Sequence, residues 1–206
     1  MNRVWMVCAC ALVIVGCAGG HQHRHADRSP EEWARILENP KRDEWQRPQA
    51  VVETMRIAPT ETIADIGAGT GYFTRRFAAV AKTVYAVEVD TRLVDRLAAT
   101  APANVRAVLG ARDDPRLPRA EIDTVFVCNV LHHIDNRPAY YRNLRQAMRR
   151  GARLVIVDFH KREAPLGPPL AMRLAEDEVA RELTAAGFVL AAKRDFLPHQ
   201  YYLEFR

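Results

Sequence analysis

Between Thr62 and Phe73 the chain reads TIADIGAGTGYF. An apolar, partly β-branched run through Ile63, Ala64 and Ile66 halts at glycines on alternate positions, Gly67, Gly69 and Gly71, and a helical pattern follows from Tyr72 to Ala81. A strand, a tight turn and a helix start in that order make a cradle for a nucleotide-like ligand. Glycine takes positive φ and lets a ligand approach the main chain, while the first N–H groups of a helix face it unpaired. Asp65 stands just ahead of the first glycine, where a carboxylate would collide with a pyrophosphate but would orient a cationic amino acid group. Glu88 falls about twenty residues past the turn, at the end of the next strand, where a carboxylate accepts from both hydroxyls of a ribose. A dinucleotide fingerprint would need glycine at position 72, which is Tyr72, so a nicotinamide oxidoreductase is disfavoured.

Further along are His132 and His133, side by side after an apolar strand, with an intrinsic pKa suited to accepting a proton. Adjacent histidines point apart and no third ligand is near in sequence, so they make no zinc site. Cys128 follows Val127 within that strand and reads as a buried structural thiol.

These residues need an alternating α/β frame to meet. Strands are expected at Thr83 to Val89, Asn104 to Leu109, Ile122 to Leu131 and Ala152 to Phe159, with the near-continuous apolar run IDTVFVCNVL marking a central parallel strand. Asn129 lies near the C-terminal end of that run, where open parallel sheets present groups to ligands. Helices are expected at Thr91 to Thr100, from Pro138 to a C-cap at Gly151, and from Glu176 to Ala186 closed by Gly187. The strands Phe188 to Leu197 and His199 to Phe205 are joined by a short turn at Pro198. Upstream, Ser29 caps a helix opening at Pro30, with Trp33, Ile36 and Leu37 on one face, and a second helix is expected over Arg47 to Ile57.

The D-x-G-x-G-x-G pattern at Asp65 to Gly71, with Glu88 closing the next strand, resembles motif I and the following acid of the class I S-adenosylmethionine (SAM) dependent methyltransferases. The stretch DTVFVCNVLHHI resembles the fourth motif of the small-molecule group that includes the ubiquinone and menaquinone C-methyltransferases. The resemblance covers about residues 45 to 206 and implies a Rossmann-like seven-stranded sheet in the order 3-2-1-4-5-7-6, strand 7 antiparallel, with helices on both faces. It implies SAM as cofactor, held by Asp65, Gly67, Ala68, Gly69, Gly71, Tyr72, Glu88 and Asn129. Family members commonly place an acid directly after the glycine of the third strand, near the adenine amino group. Here Ala111 follows Gly110, so Asp113 is taken for that place, with a turn or surface acid as the competing reading. Asp90 is a neighbour of Glu88 or a helix cap. The histidines would lie near the reacting centre, His133 or His132 serving as base if the nucleophile carries a proton. In such proteins the N-terminal helices lie over the cofactor, with Trp45 and Arg47 as wall residues and residues 162 to 174 shaping a small acceptor pocket.

An amino-methylating DNA enzyme would need Asn/Asp-Pro-Pro-aromatic where Asn129-Val130-Leu131-His132 stands, and a cytosine C5 enzyme would need Pro-Cys at Cys128. The acceptor is therefore expected to be a small molecule, with no nucleic acid partner. A non-catalytic, lipid-anchored binding protein on the same fold is the alternative. At 206 residues with 49% hydrophobic content the chain suits one α/β domain, and its net charge of +5 is scattered instead of forming a run. Residues 1–16 read as a signal peptide, one Arg followed by a short apolar stretch. Ile14-Val15-Gly16-Cys17 resembles a bacterial lipobox, which implies a lipid on Cys17 and membrane anchoring in the envelope, or a cytoplasmic protein if the signal does not work. Residues 17–30 read as a polar His-rich linker, 31–58 as the covering helices and 59–206 as the methyltransferase domain.

Overall fold

The computed structural model describes residues 28–206. The expected signal peptide, Cys17 and most of the linker lie outside the described residues.

Seven strands form one sheet in the order β3-β2-β1-β4-β5-β7-β6, as the family resemblance implied. They are β1 (Thr62–Ile66), β2 (Thr83–Glu88), β3 (Val105–Leu109), β4 (Ile122–Cys128), β5 (Met148–Phe159), β6 (Leu190–Arg194) and β7 (Gln200–Phe205). β1 pairs parallel with β2 and β4, β3 extends the parallel half beyond β2, and β5 pairs parallel with β4. β7 runs antiparallel to both β5 and β6. Central β1 and β4 are almost wholly buried, whereas edge strands β3 and β6 have no fully buried residue, because only the centre is covered on both faces.

The helices are α1 (Pro30–Leu37), α2 (Arg42–Gln46), α3 (Pro48–Met55), α4 (Thr74–Ala78), α5 (Thr91–Thr100), α6 (Arg137–Ala147) and α7 (Glu176–Ala185). On one face, Val51, Val52 and Met55 of α3 and Phe77 of α4 pack with Ile63, Val84, Phe126 and Val155. Phe126 anchors that layer, with ring centroids 4.7 Å from Phe73 and 5.0 Å from Phe77. On the other face, Tyr141 and Leu144 of α6 and Val179 and Leu183 of α7 pack with Val125, Ile156 and Leu203.

Three expectations need correcting. The helix expected from Arg47 is broken at its start: Arg47 has φ 44 and separates α2 from α3. Pro48 bars the helical conformation from the residue before it, and the Arg47 guanidinium donates to the Phe196 carbonyl at 2.7 Å. Gly151 is no helix cap. α6 stops at Ala147, β5 begins at Met148, and Gly151 (φ 81) lies inside β5 where the pairing with β4 shifts register. A β-bulge wants such a residue. Arg149 and Arg150 are consequently strand residues, and Arg149 pairs with Asp123 at 2.9 Å. The helix expected from Tyr72 is shorter, starting at Thr74, because Gly71 to Phe73 are spent in the turn. α5 matches its expected span, with Asp90 as its cap accepting from the Arg92 N–H, and Gly187 (φ 86) follows the end of α7.

Among the described residues no helix is long and apolar enough to cross a membrane, and no group of three or more His, Cys, Asp or Glu side chains could hold a metal ion.

Candidate active site at the glycine turn

β1 delivers Asp65 to the C-terminal edge of the sheet, and the chain reverses through Gly67 (φ 68), Gly69 (φ 57) and Gly71 (φ 91). A Cβ on Gly67 would lie 2.2 Å from a Val130 methyl, so this glycine is required by both conformation and space. The turn is pinned from β2: the N–H groups of Gly67 and Ala68 both donate to the Val87 carbonyl, at 2.8 and 3.0 Å.

Glu88 folds against the same turn. Its Oε2 accepts from the Gly69 N–H at 2.9 Å, while Oε1 accepts from the N–H groups of Val89 and Asp90 at 2.7 and 3.1 Å. Three backbone donors fix the carboxylate and leave it lone-pair capacity for a ligand hydroxyl. Asp65 lies on the inner side of the turn, 3% exposed, accepting from the Thr74 hydroxyl at 2.6 Å. Burial pushes its pKa up to about 7, against the opposing pull of the Thr74 bond and the Arg42 charge. The two acids therefore border one turn, and the Glu88 charge adds to the rise at Asp65.

Sequence reasoning missed Arg42. Its guanidinium lies 3.8 Å over the Tyr72 ring and donates to the Leu37 carbonyl at 2.9 Å, yet its buried Nε has no partner. Burial lowers its pKa. Only the three-dimensional approach of α2 to the turn reveals it, because nothing in the local pattern of α2 distinguishes Arg42 from its charged neighbours. Tyr72 is held between Arg42 and Arg76 and donates its hydroxyl to Asp43. A buried orphan cation donor beside a buried carboxylate is a ready pair for an amino acid's carboxylate and ammonium ends.

α1 roofs the turn. Leu37 Cδ1 lies 2.9 Å from where a Cβ on Gly69 would be, and Glu38 pairs with Arg75 at 2.9 Å. None of the α1 residues is itself buried, and of the face expected from Trp33, Ile36 and Leu37 it is Leu37 that covers the turn, while Ile36 stands exposed and Trp33 lies under Arg28. Surface depressions lined by Asp114, Arg116 and Asn143, and by Glu61, Asp123 and Arg153, do not border the turn.

Asn129 (φ 59) leaves β4 beside the turn, and its side chain is engaged in a ring of amides. Gln46 donates to Gln200 at 2.6 Å, Gln200 to Asn129 at 2.6 Å and Asn129 to Gln46 at 3.3 Å. The ring ties α2, β4 and β7 together, so Asn129 acts as a joint here. Asp113 stands exposed in the loop after β3, its carbonyl accepting from Asn143 at 3.1 Å, and it is not drawn to Glu88. Trp45 packs on Phe159 at 5.4 Å between centroids, while Arg47 is turned away to Phe196. Cys128 is a free thiol whose pKa burial raises, in keeping with a structural role. His132 and His133 form a short 3-10 turn (Leu131–His133) directly after Val130, with His132 inward and His133 exposed; against expectation their rings do not point apart but lie 4.0 Å between centroids, because the tight turn brings them together.

Residues 64–156 match the family described as a methyltransferase domain. The crystal structure of a SAM dependent methyltransferase from Aquifex aeolicus superposes with a TM-score of 0.79 at 22% identity, over 86% of this chain and 98% of that one. The fold is that of the class I methyltransferases. A probable ribosomal RNA small subunit methyltransferase A of Pyrobaculum aerophilum is 35% identical over 86 residues, 42% of this chain and 36% of its own. A probable S-adenosylmethionine-dependent methyltransferase of Mycobacterium tuberculosis is 29% identical over 154 residues, 70% of this chain and 56% of its own. The chain thus spans between about a third and just over half of these curated relatives. In this methyltransferase fold the glycine turn, Glu88, Asn129 and the two histidines all fall on the C-terminal edge of the parallel strands, the edge at which open α/β sheets bind ligands.

Proposed function

We propose that the chain is a SAM-dependent methyltransferase acting on a small-molecule acceptor. The observation that carries this reading is the placement of Asp65 and Glu88 on the two sides of one glycine turn, with the orphan Nε of Arg42 at its rim. The cofactor is S-adenosylmethionine, and the residues present fit it. Glu88 suits the ribose hydroxyls, the main chain of Gly67 to Gly71 the close approach, Asp65 the ammonium group and Arg42 the carboxylate. When bound, the cofactor supplies a methyl group on a sulfonium, whose leaving group departs uncharged. The protein's work is then to align an acceptor atom, exclude water and dispose of any proton the acceptor loses. The relatives, each named as a methyltransferase, give no support to a non-catalytic binding protein.

A small acceptor is favoured by the segment after β5. Arg173, 5% exposed, donates to the carbonyls of Pro168, Leu166, Arg162 and His160, gathering this short segment around one guanidinium. Gly167 (φ 94) packs against the Phe159 ring, so the segment folds back on the end of β5. Incubation of the full chain with methyl-labelled SAM and, separately, a small-metabolite extract and purified ribosomal RNA tests this. Label should enter the small-molecule fraction; label in RNA alone would overturn the acceptor class.

A further inference from the structure

Three buried polar atoms near the C-terminal ends of β4 and β5 have no hydrogen-bond partner: Nδ1 of His132, Oδ2 of Asp158 and the hydroxyl of Tyr201. Asp158 and Tyr201 are cross-strand partners in the β5–β7 pair, so their side chains share a face of the sheet. His132 reaches the same place from the turn after β4. Its Nδ1 is 3.8 Å from Asp158 Oδ2, and the two side chains are only 6% and 3% exposed. The other Asp158 oxygen is already committed, accepting from the Phe159 N–H at 2.8 Å. Leaving a buried polar atom without a partner is costly, because its hydrogen bonds to water are lost and not replaced. Two of the three, His132 Nδ1 and Asp158 Oδ2, face each other and can pair on a small approach, which leaves the Tyr201 hydroxyl to find its partner in a ligand.

The cluster adjoins the glycine turn. Val130, whose methyl crowds Gly67, is separated from His132 by Leu131 alone. Asp158 lies immediately before the segment that Arg173 folds up.

We propose that Asp158 positions His132 through Nδ1, leaving Nε2 to take the proton of a small acceptor carrying an acidic hydroxyl of the phenol or enol class, with the Tyr201 hydroxyl bonded to the acceptor oxygen. This rests on the methyltransferase reading and narrows it from methyl transfer in general to transfer onto oxygen. As the acceptor O–H bond breaks, its proton passes to Nε2 and its electrons stay on oxygen. That oxygen forms the new O–C bond while the methyl–sulfur bond breaks with its electron pair on sulfur. The imidazolium left behind is compensated by Asp158 and loses its proton to water. An amine acceptor carries its own free lone pair and has less use for a carboxylate-backed imidazole. Of the two histidines, the buried one beside the carboxylate is the base, and the exposed His133, its ring 4.0 Å away, is not.

The test uses the full chain with SAM and a panel of small phenols, matched anilines and indoles. Phenols should be methylated on oxygen, and His132→Gln and Asp158→Asn should each cut turnover about 100-fold or more, the size of a lost general base. SAM affinity by calorimetry should stay unchanged in both variants. A readout free of turnover is the imidazole nitrogen NMR spectrum of His132, which reports which ring nitrogen carries the proton beside Asp158, Tyr201 and His133. The proton should sit on Nδ1 in the unaltered chain and lose that preference in Asp158→Asn. If that variant fails to fold, His132→Gln and Tyr201→Phe carry the comparison, the latter losing turnover without losing SAM. Methylation confined to anilines or indoles, no transfer to the panel while SAM binds, or a His132 tautomer indifferent to Asp158 would overturn the proposal. Failure of the unaltered chain to bind SAM would instead sink the methyltransferase reading itself.

Discussion

Asp65 carries a measurable signature. A carboxyl whose folded pKa lies near 7, against 3.8 unperturbed, binds more protons folded than unfolded across that interval, so its contribution to stability falls as pH rises through it. His160, whose pKa burial lowers, works in the opposite sense in the upper part of the window, so the difference between two proteins is the clean measure. Chemical denaturation of the ligand-free protein between pH 4.5 and 7, a window chosen inside those limits, should therefore show a slope in the unaltered chain that Asp65→Asn relieves, by up to about 1.4 kcal/mol per pH unit. Parallel curves would mean that the carboxylate is ionised throughout. At this scale Gly67, Gly69, Gly71, Asp65 and Glu88 were legible in the sequence, because a turn that needs positive φ leaves its requirement in consecutive residues. Arg42, Asp158 and Tyr201 were not assigned roles, because their partners come from other elements. Gln46 and Gln200 are 154 positions apart, and no periodicity connects them.

Among the elements, α1 is the one poised to move. It contributes no buried residue, and it is held to the turn by Leu37 over Gly69 and by the Glu38–Arg75 pair, an ion pair about one-third exposed on both sides. Exposed pairs of this kind contribute at most about 1 kcal/mol, so α1 belongs to the low-stability end of the structure. A ligand approaching the Gly69 main chain must displace Leu37 and then gains α1 as a cover. Amide hydrogen exchange across residues 30–46 should therefore slow several-fold when SAM is added, while the central strands stay unchanged. Exchange unaffected by SAM would show that α1 takes no part in binding. The capping box at Ser29 and Glu32 made α1 visible in the sequence, and Pro48 carried the break at Arg47 in plain view. The bulge at Gly151 was hidden, since a glycine after a helical pattern reads equally as a cap.

At the scale of the whole molecule, the alternation of strands and helices pointed to a mainly parallel α/β sheet, because short right-handed crossovers leave few ways to lay out parallel strands, while the strand order itself was implied by the resemblance to the class I methyltransferases. The antiparallel β6–β7 pair closes the sheet and brings Gln200 and Tyr201 back to the functional edge. Both faces depend on their central strands, so Phe126→Ala, which removes a fully buried ring touching Phe73 and Phe77, should cost about 3–5 kcal/mol in denaturant unfolding. A loss below about 1 kcal/mol would mean that this layer can collapse into the space.

The reading as a whole stands on the glycine turn holding SAM, and calorimetric titration of SAM into the full chain measures that directly. In buffers of differing ionisation enthalpy near pH 6.5, close to the pKa of about 7 held by Asp65, the unaltered chain should bind SAM with release of protons, as the arriving ammonium draws Asp65 into its ionised form. Gly69→Arg should abolish binding, and Asp65→Asn should weaken it and remove the proton release. No heat of binding from well-folded protein, or binding indifferent to both substitutions, would contradict the account.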